Sequence, residues 1–268
     1  SFDLQQENFQ LVFVHGGLWT NGDKSQHVQL AHLLCRPNWR VAVCNYRLSD
    51  PKSENPVMAP EHTNDVARCL CFLHASLRPK RVVLVGQSCG AHMAALICSG
   101  VCEPRVAELP ELVVSVQGMF SNRQFVREYP EWKPEVDRSQ GSDESKWIDP
   151  IAEHCTKSEW LLIHSPSDPW VKAEQSRVFA SAILAAGGRA VLDEEERGKH
   201  FASVRDDEAE IKKLAEVRRK RNWERRRLNA FFPEDSTCNG GAGRLVGRTR
   251  RGATPCKRGI SRRKRIGS

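Results

Sequence analysis

Short apolar runs alternate with helix-like segments along most of this 268-residue chain. Six runs are apolar enough for strands buried on both faces: 10–15, 40–46, 81–86, 112–117, 160–164 and 189–193. Between them, apolar residues recur at helical spacing in 25–35, 60–77, 91–98 and 173–186. This alternation predicts an α/β fold, with a mostly parallel central sheet and helices on both faces.

Two stretches break the alternation. Residues 121–159 are polar and too long for a plain connection, so we expect an excursion over the carboxyl edge of the sheet. Beyond about residue 214 the apolar pattern fails. We therefore divide the chain into a folded domain, 1–210, and a basic extension, 211–268, that begins as a helix and ends as a disordered tail.

The positive charge belongs to that extension. The formal net charge is +8, but residues 211–268 hold 19 Lys and Arg against 4 Asp and Glu, and residues 1–210 hold 22 against 29. A uniformly basic nucleic-acid-binding domain is thereby excluded. The extension itself has two interpretations, an element that contacts nucleic acid or import factors, or unselected sequence.

The ten cysteines are scattered through apolar runs and none has CxxC spacing, so we expect reduced, buried thiols. No apolar run reaches the roughly 18 residues of a membrane helix. The first residues show no basic segment followed by an apolar one. We expect a cytoplasmic protein without a membrane partner, which also enters the nucleus if the extension is an import element.

The segment Gly86-Gln-Ser-Cys-Gly90 directly follows a buried strand and precedes a helix. Small residues allow a tight strand-to-helix turn that projects the Ser88 hydroxyl from the sheet edge. This context predicts Ser88 as a nucleophile, with the backbone N–H of Cys89 at the helix start facing a developing oxyanion. The alternative is a plain glycine-rich connection.

A second turn, His15-Gly-Gly-Leu-Trp19, ends the first strand. Two glycines let the backbone approach an acyl oxygen, so Gly17 and Leu18 are candidates for the second oxyanion donor.

A serine nucleophile needs a base and an acid that orients the base, and both come later in this architecture. Asp168 follows the fifth predicted strand and His200 follows the sixth, so both reach the carboxyl edge. We predict the triad Ser88, Asp168 and His200. Asp149, Asp193 and Glu194 compete for the acid position.

These features together resemble an α/β-hydrolase, and within that superfamily the kynurenine formamidases (arylformamidases) of the compact fungal kind. The resemblance rests on His15–Trp19, Asn45–Ser49, Pro60–Asp65, Gly86–His92, Gln117–Phe120, Tyr129–Pro130, Asp168–Val171 and His200. The chain departs from the family pattern at Gln87 and Cys89, where His and Ala are more usual. Only nine residues precede the first strand, so the antiparallel strands that open this fold should be mostly missing.

The resemblance implies hydrolysis of N-formyl-L-kynurenine to kynurenine and formate, without a metal or organic cofactor. Trp19 would bound a narrow acyl pocket, and Phe120, Tyr129 and Trp132 would form walls for the aromatic part. Core packing explains each of these aromatic residues equally well. A homodimer is a further expectation.

Two other functions stay open. A carboxylesterase of the hormone-sensitive-lipase-like group would use the same triad on small esters, although its usual HGGG turn is interrupted here by Leu18. An inactive hydrolase could serve as an interaction module, and the complete set of triad residues argues against it.

Overall fold

A six-stranded sheet runs through the part of the chain that the structure describes, which is residues 9–35 and 39–206 of a computed structural model. The strands are β1 (Phe9–Val14), β2 (Trp39–Cys44), β3 (Arg81–Gln87), β4 (Leu112–Val116), β5 (Glu159–Ile163) and β6 (Arg189–Asp193). Their order is β2-β1-β3-β4-β5-β6, and every neighbouring pair is parallel. The predicted parallel sheet is confirmed, with strand ends within two residues of the predicted positions.

Helices connect the strands and pack against them. They are α1 (Val28–Leu34), α2 (Glu61–Leu77), α3 (Cys89–Cys98), α4 (Asn122–Glu128), α5 (Lys133–Gln140) and α6 (Glu174–Ala185). The predicted helix over 25–35 begins with a 3₁₀ turn, Lys24–His27, before α1. The polar stretch 121–159 contains α4, α5 and three 3₁₀ turns, so it has secondary structure of its own.

Burial falls from the middle of the sheet to its edges. All residues of β1 and β4 are buried, whereas β2 and β6, the two edge strands, are mostly half-buried. Helix α3 is buried along all ten residues because it is apolar on every side and is rich in alanine. The core therefore surrounds β1, β3, β4 and α3.

The chain changes direction across the sheet at β1. Strand β2 pairs with one side of β1, and β3 pairs with the other. In a parallel sheet the crevice beyond the carboxyl ends of two such strands is the usual place for a ligand. At this crevice the chain leaves β1 at His15 and leaves β3 at Ser88.

Two glycines allow α3 to lie close to the sheet. A methyl group on Gly90 would collide with the carbonyl oxygen of Val14 and lie 2.9 Å from that of His15. A methyl group on Gly86 would lie 2.6 Å from backbone atoms of Ala91. These neighbours are backbone atoms, which cannot rotate away, so glycine is required for the tight strand-to-helix turn.

Within the described residues no helix is long and apolar enough to cross a membrane. Seven cysteines of the folded part carry unbridged thiols: Cys44, Cys69, Cys71, Cys89, Cys98, Cys102 and Cys155. The predicted basic extension, 211–268, lies outside the described residues, so the division of the chain at residue 210 stays a prediction.

We predict that Gly90→Ala lowers the free energy of unfolding by about 2 kcal/mol, since overpacking against fixed backbone costs roughly 1–3 kcal/mol. In an unconstrained helix the same change would be favourable by about 1 kcal/mol. Urea unfolding measures the difference. Gly187→Ala is the matched control, because its methyl group meets no atom within 4 Å and tests only the positive φ of 80°. A Gly90→Ala protein as stable as the wild type would contradict the close approach.

Candidate active site

Ser88 occupies a strained backbone position between β3 and α3. Its φ and ψ are 55° and −123°, outside the regions that non-glycine residues usually adopt. The conformation is held by hydrogen bonds from Ser88 N to Val116 O at 3.0 Å and from Met119 N to Ser88 O at 3.3 Å. The strain and the glycines on each side give the geometry of a nucleophile elbow, with Ser88 facing a cleft.

Asp168 and His200 meet across the loops that follow β5 and β6. The distance from Asp168 Oδ2 to His200 Nδ1 is 2.6 Å, and both side chains are almost fully buried. The other carboxylate oxygen, Oδ1, accepts hydrogen bonds from the backbone N–H groups of Trp170 at 2.8 Å and Val171 at 3.1 Å. The carboxylate is thus fixed, and it directs Nε2 of His200 away from itself.

The competing acids are engaged elsewhere. Asp149 accepts hydrogen bonds from Ser121 Oγ at 3.0 Å and Asn122 N at 2.9 Å. Asp193 pairs with the buried Arg197 at 2.9 Å, and Glu194 pairs with Arg177 at 2.7 Å. Within the described residues, the only carboxylate within 4 Å of the His200 ring nitrogens is that of Asp168.

The turn after β1 has an unusual run of left-handed residues. Gly17, Leu18 and Trp19 have φ values of 118°, 49° and 60°. The carbonyl of Gly17 accepts hydrogen bonds from the N–H groups of Thr20 and Asn21, both at 3.0 Å, which closes the turn. Gly17 and Leu18 line the same cleft as Ser88.

Tyr46 links this turn to the elbow. Its hydroxyl donates to the carbonyl of His15 at 3.1 Å and lies 3.8 Å from the Sγ of Cys89. Its ring stacks on that of His15, with centroids 4.5 Å apart. Burial is the main cause that raises the pKa of the Cys89 thiol to about 11, so the residue beside the nucleophile is a neutral packing group.

The cleft above Ser88 has a volume of about 340 Å³. Its floor is the β1 turn with Gln87, Ser88 and His200, and its sides include Trp132, Trp170, Phe201 and Arg205. Trp170 lies nearly parallel to the His200 ring at 5.8 Å, and Phe201 meets it edge-on at 5.0 Å. Aromatic surface therefore surrounds the base.

Three predicted substrate contacts need correction, because Trp19, Phe120 and Tyr129 are not among the described residues that line the cleft. The positive φ of Trp19 turns its ring into the core, where it is 1% exposed and meets His92 edge-on at 5.3 Å. Phe120 stacks on Phe179 at 3.9 Å in the core, and Tyr129 packs on Phe125.

Of the predicted wall residues, Trp132 does line the cleft. The sequence reasoning missed Trp170, Phe201 and Arg205. Trp170 and Phe201 stand within two residues of Asp168 and His200, and this proximity was the available signal.

Burial keeps several histidines around the site neutral. Desolvation lowers the pKa of His15 and His164, and it lowers that of His62 to about 4. His62 accepts or donates a hydrogen bond with Ser49 Oγ at 2.9 Å, which holds the loop behind the β1 turn. Within the described residues no group of three His, Cys, Asp or Glu side chains could hold a metal ion.

Known proteins resemble this chain in sequence. A BD-FAE family model matches residues 3–108, which include the β1 turn and the elbow but neither Asp168 nor His200. Kynurenine formamidase avaC of Aspergillus versicolor is 26% identical, over 65% of this chain and 75% of that protein. Esterase LipQ of Mycobacterium tuberculosis is 27% identical over 72% of this chain, which spans about half (49%) of LipQ.

Solved structures resemble the chain in fold. The crystal structure of esterase B from Lactobacillus rhamnosis superposes with a TM-score of 0.64 at 18% identity, covering 85% of this chain and 80% of that one. The predicted α/β-hydrolase fold is confirmed. Because a formamidase and an esterase match at similar identity, the substrate has to be argued from the site itself.

We predict that Tyr46→Phe lowers kcat for p-nitrophenyl acetate roughly 3- to 10-fold with little change in KM. Loss of one neutral hydrogen bond is worth about 1 kcal/mol, and here it loosens the His15 carbonyl at the turn rather than the substrate. Tyr129→Phe is the matched control, because Tyr129 is the other of the two tyrosines and lies outside the cleft lining. A change confined to KM, or an equal loss in both variants, would contradict this role.

We also predict that stability falls as pH is lowered below about 6.5, the pKa of an unfolded histidine. His15, His62 and His164 then bind protons in the unfolded chain but not in the folded chain, because burial lowers their pKa. Each such histidine contributes at most about 1.4 kcal/mol per pH unit. Urea unfolding at pH 7, 6 and 5 measures the slope. His62→Gln should flatten it, because that histidine has its pKa lowered to about 4 by burial. A slope in His62→Gln as steep as in the wild type would contradict this origin.

Proposed function

We propose that this chain is a serine hydrolase that cleaves the formamide of N-formyl-L-kynurenine, with Ser88, Asp168 and His200 as its triad. The observation that carries the proposal is the 2.6 Å contact between Asp168 Oδ2 and His200 Nδ1, in the same cleft as a strained Ser88. A structural role for this pair would not require a nucleophile elbow beside it.

The first chemical step uses the fixed order of these groups. Asp168 holds the proton on Nδ1 of His200, which leaves Nε2 to accept the proton of the Ser88 hydroxyl. Ser88 Oγ then attacks the formyl carbon. The negative charge that develops on the formyl oxygen is stabilised by the backbone N–H groups of Gly17, Leu18 and Cys89.

The second step releases the amine. His200 gives its proton to the aromatic nitrogen, the carbon–nitrogen bond breaks, and kynurenine leaves a formyl ester on Ser88. Water, deprotonated by His200, attacks that ester, so formate departs and Ser88 regains its proton. Of the groups that these steps use, Ser88, His200, Gly17 and Leu18 line the cleft.

The shape of the cleft supports an aromatic substrate with a small acyl group. Trp132, Trp170 and Phe201 offer ring faces and edges to an aryl amine. A formyl group is the smallest acyl group, and Gly17 and Leu18 line the same cleft as Ser88. The likeness to kynurenine formamidase avaC supports the same substrate.

The second candidate is a carboxylesterase acting on small esters. The likeness to esterase LipQ and to the fold of esterase B favours it. The same serine and oxyanion donors would attack an ester carbonyl without any change in geometry. The two candidates differ in the acyl group and in the leaving group that the cleft accepts.

We predict that Ser88→Ala lowers kcat for N-formylkynurenine by about 10⁴-fold or more. Asp168→Asn should lower kcat by a comparable factor, because an amide N–H in place of the carboxylate oxygen reverses the hydrogen bond that sets the tautomer of His200. Wild-type kcat/KM on N-formylkynurenine should exceed that on p-nitrophenyl acetate. Absorbance assays of kynurenine and nitrophenol release measure both.

Ser99→Ala is the control for serine removal, because Ser99 lies at the far end of α3 and its hydroxyl donates to the helix carbonyls of Ala95 and Leu96. It should retain full activity. Turnover of the ester without turnover of the formamide would show that the esterase is the correct assignment. Full activity in Ser88→Ala would show that Ser88 is not the nucleophile.

A further inference from the structure

A second cavity lies at the edge of the sheet opposite to Ser88. It is formed by the end of α3, the connection from α3 to β4 and the turn before β5. Its volume is about 630 Å³, against about 340 Å³ for the cleft above Ser88. Because α3 has ten residues and is about 15 Å long, the helix separates a ligand in this cavity from the nucleophile.

The floor of this cavity is apolar. Ile97, Cys98 and Val106 line it, and each is at most 8% exposed. Burial raises the pKa of the Cys98 thiol to about 12, so this thiol is uncharged and acts as a small hydrophobic group. Such a surface suits a hydrocarbon chain or ring.

The rim of the cavity is positively charged. Arg105 and Lys157 line it from two different segments, and both are exposed. The guanidinium of Arg105 lies beside the turn at Gly100, since its Nη1 would be 3.9 Å from a methyl group on that glycine. No aspartate or glutamate is among the described residues of the lining.

The acidic side chains of the neighbouring sequence lie outside this lining. They are Glu103 and Glu108 on the connection from α3 to β4, and Glu153 before β5. The carboxylate of Glu108 lies 3.5 Å from Nδ1 of His74, on α2. The cavity thus combines an apolar floor with cationic groups from two segments.

The carboxyl end of α3 borders the cavity, and a helix end of this kind carries partial negative charge. Here the carbonyl groups of residues 95–97 accept hydrogen bonds from the backbone N–H groups of residues 99–101, at 2.8–3.0 Å. These bonds satisfy carbonyl groups that would otherwise face a ligand. The charge at the rim is therefore the main electrostatic feature of the cavity.

We propose that this cavity binds an amphipathic carboxylate, with its apolar body against Ile97 and Val106 and its charged group at Arg105 and Lys157. Carboxylates form charge-assisted hydrogen bonds with both kinds of cation. An uncharged alcohol and a short anion each lack one half of this ligand. The inference is independent of the reaction proposed at Ser88.

A titration of the ¹⁵N-labelled full-length chain, followed through its amide NMR signals, tests the inference. The probes are sodium octanoate, octan-1-ol, which keeps the chain without the charge, and sodium acetate, which keeps the charge without the chain. We expect octanoate to shift the signals of Gly100 and Ala107 with a Kd of about 1 mM or tighter. Octanol should bind about fivefold more weakly, and acetate should give no saturable shift up to about 10 mM.

The double variant Arg105→Met, Lys157→Met should bind octanoate about fivefold more weakly than the wild type, because exposed charges contribute modestly to each contact. Its affinity for octanol should stay unchanged. The matched control is Lys52→Met, Lys80→Met, which removes two positive charges from exposed positions outside the lining and should bind octanoate as the wild type does.

Several results would overturn the site. One is the absence of octanoate binding up to about 10 mM, and another is a set of shifts confined to Gly17 and Leu18, which would place octanoate in the cleft above Ser88. Equal affinities for octanoate and octanol, or an equal loss in both double variants, would remove the role of the two cations. Octanoate binding in a chain that hydrolyses neither formamide nor ester would leave this site standing while the proposed function failed.

Discussion

The close approach of α3 to β1 and β3 is the constraint on which the rest of this site depends. With no side chains at Gly86 and Gly90, the chain reverses direction within a few residues and leaves Ser88 in a conformation that ordinary turns avoid. The strain is maintained by burial, because α3 is enclosed along its whole length and cannot move outward to relieve it. Core packing thus fixes the position of a single reactive hydroxyl.

The loop that carries the base is held by two amide side chains. Gln87 donates to the carbonyl of His200, and Gln117 donates to that of Lys199, both at 3.4 Å. Gln87 belongs to the elbow itself, so one tight turn carries both the nucleophile and an anchor for the base.

Strand positions, the parallel sheet and the geometry of the elbow could be predicted because local signals determine them: apolar runs of strand length, and glycines around Ser88. The choice of Asp168 over Asp149 was less secure from the sequence. Asp168 follows β5, and Asp149 is engaged elsewhere by hydrogen bonds from Ser121 and Asn122, which lie far from it along the chain.

The aromatic residues show where such reasoning ends. Residue type does not predict on which side of a turn an aromatic ring lies. At Trp19 the left-handed backbone determines the direction of the ring. Phe120 was assigned to the cleft through the family resemblance, yet its ring stacks on Phe179 of α6 in the core. Arg205 gave no sequence signal, because its place in the cleft depends on Phe201 and Gln26 rather than on a motif.

The burial of Cys89 has a consequence for chemical labelling. Alkylating reagents and peroxides attack thiolates, and a thiol whose pKa is about 11, enclosed between Tyr46 and the β1 turn, supplies almost none at neutral pH. An electrophile that enters the cleft therefore meets an oxygen nucleophile at Ser88 while the adjacent sulfur stays unmodified. Although the chain has ten cysteines, a covalent label bound in the cleft therefore reports modification of Ser88 and not of Cys89.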